Sequence, residues 1–341
     1  LVIDGIKAGY KINEDLIAKN LERRRPGKNE FSTTRKEKDL YQLVSGEVDG
    51  LTCGAPLCAI IKNKDQRSRD YENLKDKPRP SHADYPAFVK FCSHNDIRGG
   101  GQFSGRMTAP IVIGGSIAED LLNQRGIKIY SRIKSIGQAK DDDILLEDIK
   151  EENFSDFKDQ VFPVINPSSR ERMKEEILKA KKDGDSIGGV VETFILNMPV
   201  GIGEPFFDSI ESVISHAVFS VPGIKGIEFG SGFEAANMLG STHNDSYYFE
   251  DDKVKTNTNN HGGIIGGLST GMPIVFRTAV KPTSSIARIQ DTISLKNKSN
   301  EKLKIVGRHD PSIVPRALVA IEMITVIALL DLVMEGEKWE I

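Results

Sequence analysis

The stretch "ALVAIEMITVIALLDLVM", residues 317–334, is the most apolar part of the chain, and Glu322 and Asp331 interrupt it. Two charges within so short a run predict a buried amphipathic helix rather than a membrane span. Such a helix needs other elements to cover it, and 341 residues with 38% hydrophobic content supply them.

Those other elements can be placed by their signals. Asn13 caps a helix over 14–25 that Pro26 and Gly27 stop, and strand-like runs follow near 40–48 and 56–62. Residues 63–86 are polar and proline-rich and read as a long loop. Pro110 suits the first turn of a helix over about 109–125. Residues 127–137 alternate as a strand, and 139–167 form an acidic, irregular connection. Ser168 with Glu171 predicts a capped helix to about 183, and Asp208 with Glu211 predicts another, in which His216 reads as a packing residue. "GGVVETFILNMPVG" and "IKGIEFG" are strand-like. Strands and helices come in blocks rather than in β-α alternation, which points to α+β and away from a doubly wound parallel sheet. No repeat of 20–50 residues and no linker divides the chain, so we expect a single domain over 1–341. The opening "LVIDGIKAGYKI" carries no signal-peptide pattern and begins abruptly, as if in mid-strand, from which we expect further residues upstream.

Charge narrows the functional classes. With 46 Lys and Arg against 49 Asp and Glu, no global positive field exists to hold nucleic acid or an anionic membrane, so anion binding must be local. Cys53, Cys58 and Cys92 form no C-x-x-C pair and read as reduced thiols of a cytoplasmic protein. The six histidines show no metal-ligand spacing.

Local anion sites are in view. "NDIRGGGQFSGRMTAP", residues 95–110, sets three glycines between Arg98 and Arg106 just before a helix start. Glycine lets backbone N–H groups approach a ligand, and a helix N-terminus adds donors and a positive dipole end. A tight packing turn explains the same glycines, and the lack of a Lys-Ser/Thr pair excludes a Walker loop. "TNNHGGIIGGLSTGMPIVFRTAVKPTSS", 258–285, pairs glycines with Lys281, Thr283, Ser284 and Ser285, donors suited to phosphate, though a glycine-bulged strand pair remains the alternative. "IEFGSGFEAA" fits G-x-G-x-x-A through Gly230, Gly232 and Ala235, but no helix and second strand follow, so it reads as a turn. His82, between Arg79 and Asp84, is suited to proton transfer or is a solvated loop residue. "GRHDP" sets Asp310 beside Arg308, either in a site or as a surface ion pair.

Taken in order, "RRRPG", "DQRSRDY", "RPSHADY", "RGGGQFSGRMTA", "GDSIGGVVE", "GIGEPFFDSIES", "NNHGGIIGGLSTGMPI", "KPTSS" and "GRHDP" resemble chorismate synthase over essentially the whole chain. The resemblance implies a β-α-β sandwich, with helices packed between two antiparallel sheets, and a homotetramer. It also implies an anti-1,4-elimination of phosphate from 5-enolpyruvylshikimate 3-phosphate (EPSP), giving chorismate, with reduced FMN and no net redox change. By the same resemblance Arg24, Arg35, Arg106 and Arg308 hold substrate anions, with Arg308 also near flavin. FMN contacts fall at Gln102, Phe103, Ser104, Pro222, Gly223, Gly267, Lys281, Pro282, Thr283, Ser284 and Ser285. His82 matches the histidine that protonates the reduced flavin, and Asp310 the aspartate near flavin N5 that assists deprotonation of the substrate. The resemblance leaves open whether the chain reduces its own flavin with NAD(P)H or relies on a separate flavin reductase.

Departures from the family pattern are specific. The family's G-E-S-H-G segment lies upstream of the "VIDG" strand with which this chain begins. Glu30 stands where many members have arginine, Ser81 replaces the glycine of R-P-G-H-A-D, and "SGRMTA" replaces "SARETA". Two other readings are kept: an NAD(P)-dependent dehydrogenase built on Gly230–Ala235, and a non-catalytic FMN- or anion-binding protein.

Overall fold

The computed structural model describes residues 1–25, 27, 39–62, 74–305 and 310–337, without the side chains of residues 98 and 99. Its largest sheet has five antiparallel strands, in the spatial order Ala139–Lys140, Lys128–Ile136, Gly189–Leu196, Ile274–Val280 and Ile224–Phe229. A smaller antiparallel sheet joins Val2–Ile3, Leu57–Ile61 and Tyr41–Ser45. Between them lie the helices Glu14–Arg24, Thr108–Gln124, Ile210–Phe219 and Val314–Gly336. The architecture is therefore an α+β sandwich with helices between two antiparallel sheets.

Val314–Gly336 is the centre of that layer, packing on Thr108–Gln124, on Ile210–Phe219 and on the large sheet. Among the described residues it is the one helix long and apolar enough to cross a membrane, and 72% of its most apolar window is buried in the protein. The two charges that interrupt its apolar run are handled differently. Glu322 is fully buried and accepts two hydrogen bonds from Arg23, at 2.8 and 3.1 Å, while Asp331 faces solvent. Gly115 sets the helix spacing, because a Cβ there would stand 2.5 Å from the Cβ of Met323.

Period-two alternation assigns the faces of the large sheet. Ile129, Ile195 and Ile274 face the helices; Tyr130, Phe194 and Val275 face the other way. That outer face is covered by the connection 139–167, which is irregular as expected but carries Phe154 stacked on Phe194 at 4.7 Å between ring centres. Strand Lys128–Ile136 is consequently buried on both faces rather than alternately exposed.

Several local expectations shift. Asn166, not Ser168, caps Pro167–Lys182, because Pro167 fills the first helical position and the Asn166 side chain accepts from the Ser168 amide. Ser209, not Asp208, caps Ile210–Phe219 and accepts from the Ser212 amide. His216 is exposed rather than packed. The segment expected as loop to residue 86 already turns helical at Asp84–Lys90.

Candidate active site

One cavity of about 540 Å³ opens where the helix layer meets the loops that follow its strands. The N-terminal ends of Thr108–Gln124 and Val314–Gly336 border it through Thr108, Ile313, Arg316 and Ala317, so two positive dipole ends lie at its wall. The glycine stretch 98–103 winds as a 3₁₀ turn into the first of these helices. Gly101 adopts φ +53° and a Cβ there would stand 2.3 Å from the Asp96 carbonyl oxygen, so this bend excludes a side chain.

Most of the expected residues meet here. Arg24, His82, Gln102, Phe103, Ser104, Arg106, Pro222, Gly223, Asp310 and all of 281–285 line the cavity. Gly267 does not join them, as it packs on Glu204 and Ser209 and its carbonyl accepts from the Ile210 amide. Arg35, Arg308 and Glu30 lie outside the described residues. The side chain of Arg98 is likewise outside them.

The cations of the wall are held by neighbours that aim them. Arg24, buried, donates from Nε to Thr108 Oγ1 at 2.9 Å, from Nη1 to Asp39 Oδ2 at 2.9 Å and from Nη2 to the Gly105 carbonyl at 3.1 Å. The other oxygen of Asp39 lies 3.5 Å from Arg106 Nη1, so one carboxylate sits between two arginines. Lys281 Nζ donates to the Ser81 carbonyl at 3.0 Å, and burial followed by the nearby charge of Lys225 lowers its proton affinity. Thr283 Oγ1 donates to the Asp310 carbonyl at 3.0 Å.

Three participants had no role assigned from the sequence. Arg316 donates from Nη1 to Asp310 Oδ2 at 2.7 Å and from Nε to the Arg24 carbonyl at 3.2 Å, joining both ends of the site. Arg79 and Asp84 flank His82 and pair with each other at 2.7 and 2.8 Å. Only their closeness to His82 in "RPSHADY" could have signalled them; nothing in "GRHDPSIVPRA" signals that Arg316 folds back on Asp310.

Arg24, Arg79, Arg106, Lys281 and Arg316 thus face the cavity with Asp310 as its sole lining carboxylate among the described residues. Such a site suits a ligand of several negative charges. Ile313, Ala317, Ala320 and Val221 add an apolar wall on which a flat ring can lie. The glycine pattern at Gly230 lacks a dinucleotide frame, since Ile224–Phe229 is an edge strand of an antiparallel sheet and leads into a 3₁₀ turn, Gly232–Asn237.

Comparison with known proteins points to one family. The family model described as chorismate synthase matches residues 1–334. A chorismate synthase of Pyrococcus abyssi is 44% identical over 344 residues, covering 100% of this chain and 94% of its own length. That of Methanocaldococcus jannaschii is also 44% identical, covering 98% and 91%, and that of Korarchaeum cryptofilum is 41% identical, covering 99% and 92%. A crystal structure of chorismate synthase superposes with a TM-score of 0.72 at 28% identity, over 98% of this chain and 87% of the other. By motif order, fold and relatives alike, the chain belongs to the chorismate synthase family.

Proposed function

We propose that this protein is a chorismate synthase that takes EPSP into the 540 Å³ cavity and eliminates its phosphate to give chorismate, with reduced FMN as resident cofactor. The observation that carries this reading is the convergence of five cationic side chains, one histidine and one carboxylate on a single pocket. Its volume lies within the range of about 300–1,000 Å³ usual for small-molecule sites. EPSP bears two carboxylates and a phosphate and FMN bears another phosphate, so desolvated arginines are needed to neutralise them.

The residues present suit the cofactor. Lys281, Thr283, Ser284 and Ser285 offer one ammonium and three hydroxyls, Gln102 to Ser104 follow a side-chain-free bend, and the apolar wall suits a planar ring. When bound here, reduced FMN would supply transient electron density and take it back, leaving the reaction without net redox change. The protein's own tasks are binding and proton handling. Arg106 holds substrate charge, with the buried Arg24 behind it sharing Asp39. His82 provides the proton to the cofactor, and Asp310, steadied by Arg316, assists removal of the substrate proton. Arg35 and Arg308 join the anion-binding set by the family resemblance. NAD(P)H is the proposed reductant, acting on this chain or through a separate flavin reductase. The exposed Phe206 and Phe207 rings, 87% and 91% accessible, support burial between subunits of a homotetramer.

Anaerobic protein given reduced FMN and EPSP should release phosphate and chorismate in equal amounts, followed by absorbance and phosphate assay. Tight binding of both with no product would favour the non-catalytic reading, and hydride transfer to NAD(P) without flavin the dehydrogenase.

A further inference from the structure

His82 presents one ring nitrogen to the cavity and the other to a carboxylate. Its Nδ1 lies 2.6 Å from Asp84 Oδ1. Nδ1 also lies 3.1 Å from Arg79 Nη2, which can only donate, but the Asp84 contact is the shorter of the two, and two unprotonated acceptors do not approach so closely, so the proton is assigned to Nδ1 and Nε2 is left to face the cavity. Nε2 is turned towards Gly100, where a Cβ would stand 3.8 Å from it. Asp84 itself does not line the cavity.

Asp84 is unusually well fixed. Arg79 donates to both of its oxygens, from Nε at 2.7 Å and from Nη2 at 2.8 Å, and the Arg79 amide adds a third bond at 3.0 Å. Burial alone would raise the proton affinity of this carboxyl. The hydrogen bonds from Arg79 and His82 outweigh burial and hold it well below the usual carboxylate range, hence anionic. The turn is tied to the proposed cofactor loop at two points, Arg79 Nη1 to Ser285 Oγ at 3.3 Å and Lys281 Nζ to the Ser81 carbonyl at 3.0 Å.

We propose that Asp84 is a positioning residue for the reaction: it holds the Nδ1–H of His82, so that in the doubly protonated ring Nε2 is the atom that gives its proton to the group in the cavity and the ring left behind is the Nδ1–H tautomer. This rests on the proton-donor role proposed for His82. An Arg-clamped carboxylate therefore fixes the orientation of the ring.

The test uses the full chain with ¹⁵N-labelled histidine. The wild-type His82 signals should show Nδ1 protonated, and a neutral ring with its proton on Nε2 alone would overturn the proposal whatever any variant does. Asp84→Asn should mix the tautomers and lower kcat by about 10²-fold with KM for EPSP unchanged. Asp84→Glu should restore part of both. In a His82→Ala background Asp84→Asn should cost nothing further; an additive loss would mean a merely structural carboxylate. Should Asp84→Asn fail to fold, the wild-type ring protonation and the turnover of Asp84→Glu still decide. Wild-type turnover by His82→Ala would remove the proton role of His82, and the tautomer measurement would then decide separately whether Asp84 orients the ring.

Discussion

Arg132 and Arg106 are both arginines in tight surroundings, and they stand in opposite electrostatic settings. On the outer face of the large sheet Arg132, Glu192, Arg277 and Glu228 occupy neighbouring positions on four adjacent strands, so the charge alternates across the sheet. Arg132 is wholly buried and donates to Asp141 and to Glu192, each at 2.7 Å, and Arg277 meets Glu228 at 2.9 Å. Among the described residues the cavity wall has five cations to one lining carboxylate, and Asp39 and Asp84 behind it bring the balance to five against three. The first network is closed and serves architecture. The second is left positive, and Lys281 within it, desolvated and near the charge of Lys225, holds its proton less firmly than an exposed lysine. A protein bears such an excess where an anionic ligand completes the balance, and the ligand then stabilises the fold by mass action.

The contrast can be broken most forcefully at the closed network. Arg132→Met should lower unfolding free energy by about 3–5 kcal/mol, because Asp141 and Glu192 stay buried without their partner. Denaturant unfolding measures this, and the affinity for EPSP should hold in whatever fraction remains folded. A variant as stable as wild type would mean that the ladder is not the closed unit described. The matching change at the open network is Arg106→Ala, for which EPSP binding should weaken by about 10²-fold, as loss of charge-assisted hydrogen bonds requires. FMN binding and thermal stability should change far less. Equal loss of both ligands, read by titration calorimetry, would erase the division between substrate-facing and flavin-facing residues.

The same contrast explains what could be read without coordinates. The pocket was legible because its glycines, arginines and hydroxyls lie in contiguous runs, as in "RGGGQFSGRMTA" and "KPTSS". The fold class was legible from the block order of strands and helices. The closed networks were not, since Arg132, Asp141, Glu192 and Arg277 are brought together by strand register alone. For the same reason the double burial of Lys128–Ile136 was missed: Phe154 and Phe157 sit in an acidic stretch that shows no periodicity. Arg316 escaped notice because its reach to Asp310 depends on how the chain enters the last helix. His216 read as core from the apolar residues around it, but the helix turns its buried stripe, Ile210, Ile214 and Val218, away from that position.

The smallest effect is expected at Ser81, where this chain departs from the family's glycine. Ser81 sits at φ +56°, the left-handed region that a side chain resists at about 1–2 kcal/mol. Lys281 ties the strained turn down through the Ser81 carbonyl, a bond that needs only backbone at this position. Ser81→Gly should therefore relieve strain while adding about 0.5–1 kcal/mol of unfolded-state entropy, for a net gain below about 1 kcal/mol. The backbone ties of the turn persist in the variant, so His82 should keep its tautomer and kcat should stay at the wild-type value. A clear loss of FMN affinity with unchanged stability would instead show that the Ser81 hydroxyl, which lines the cavity, has been taken up as a ligand contact on the open side of the comparison.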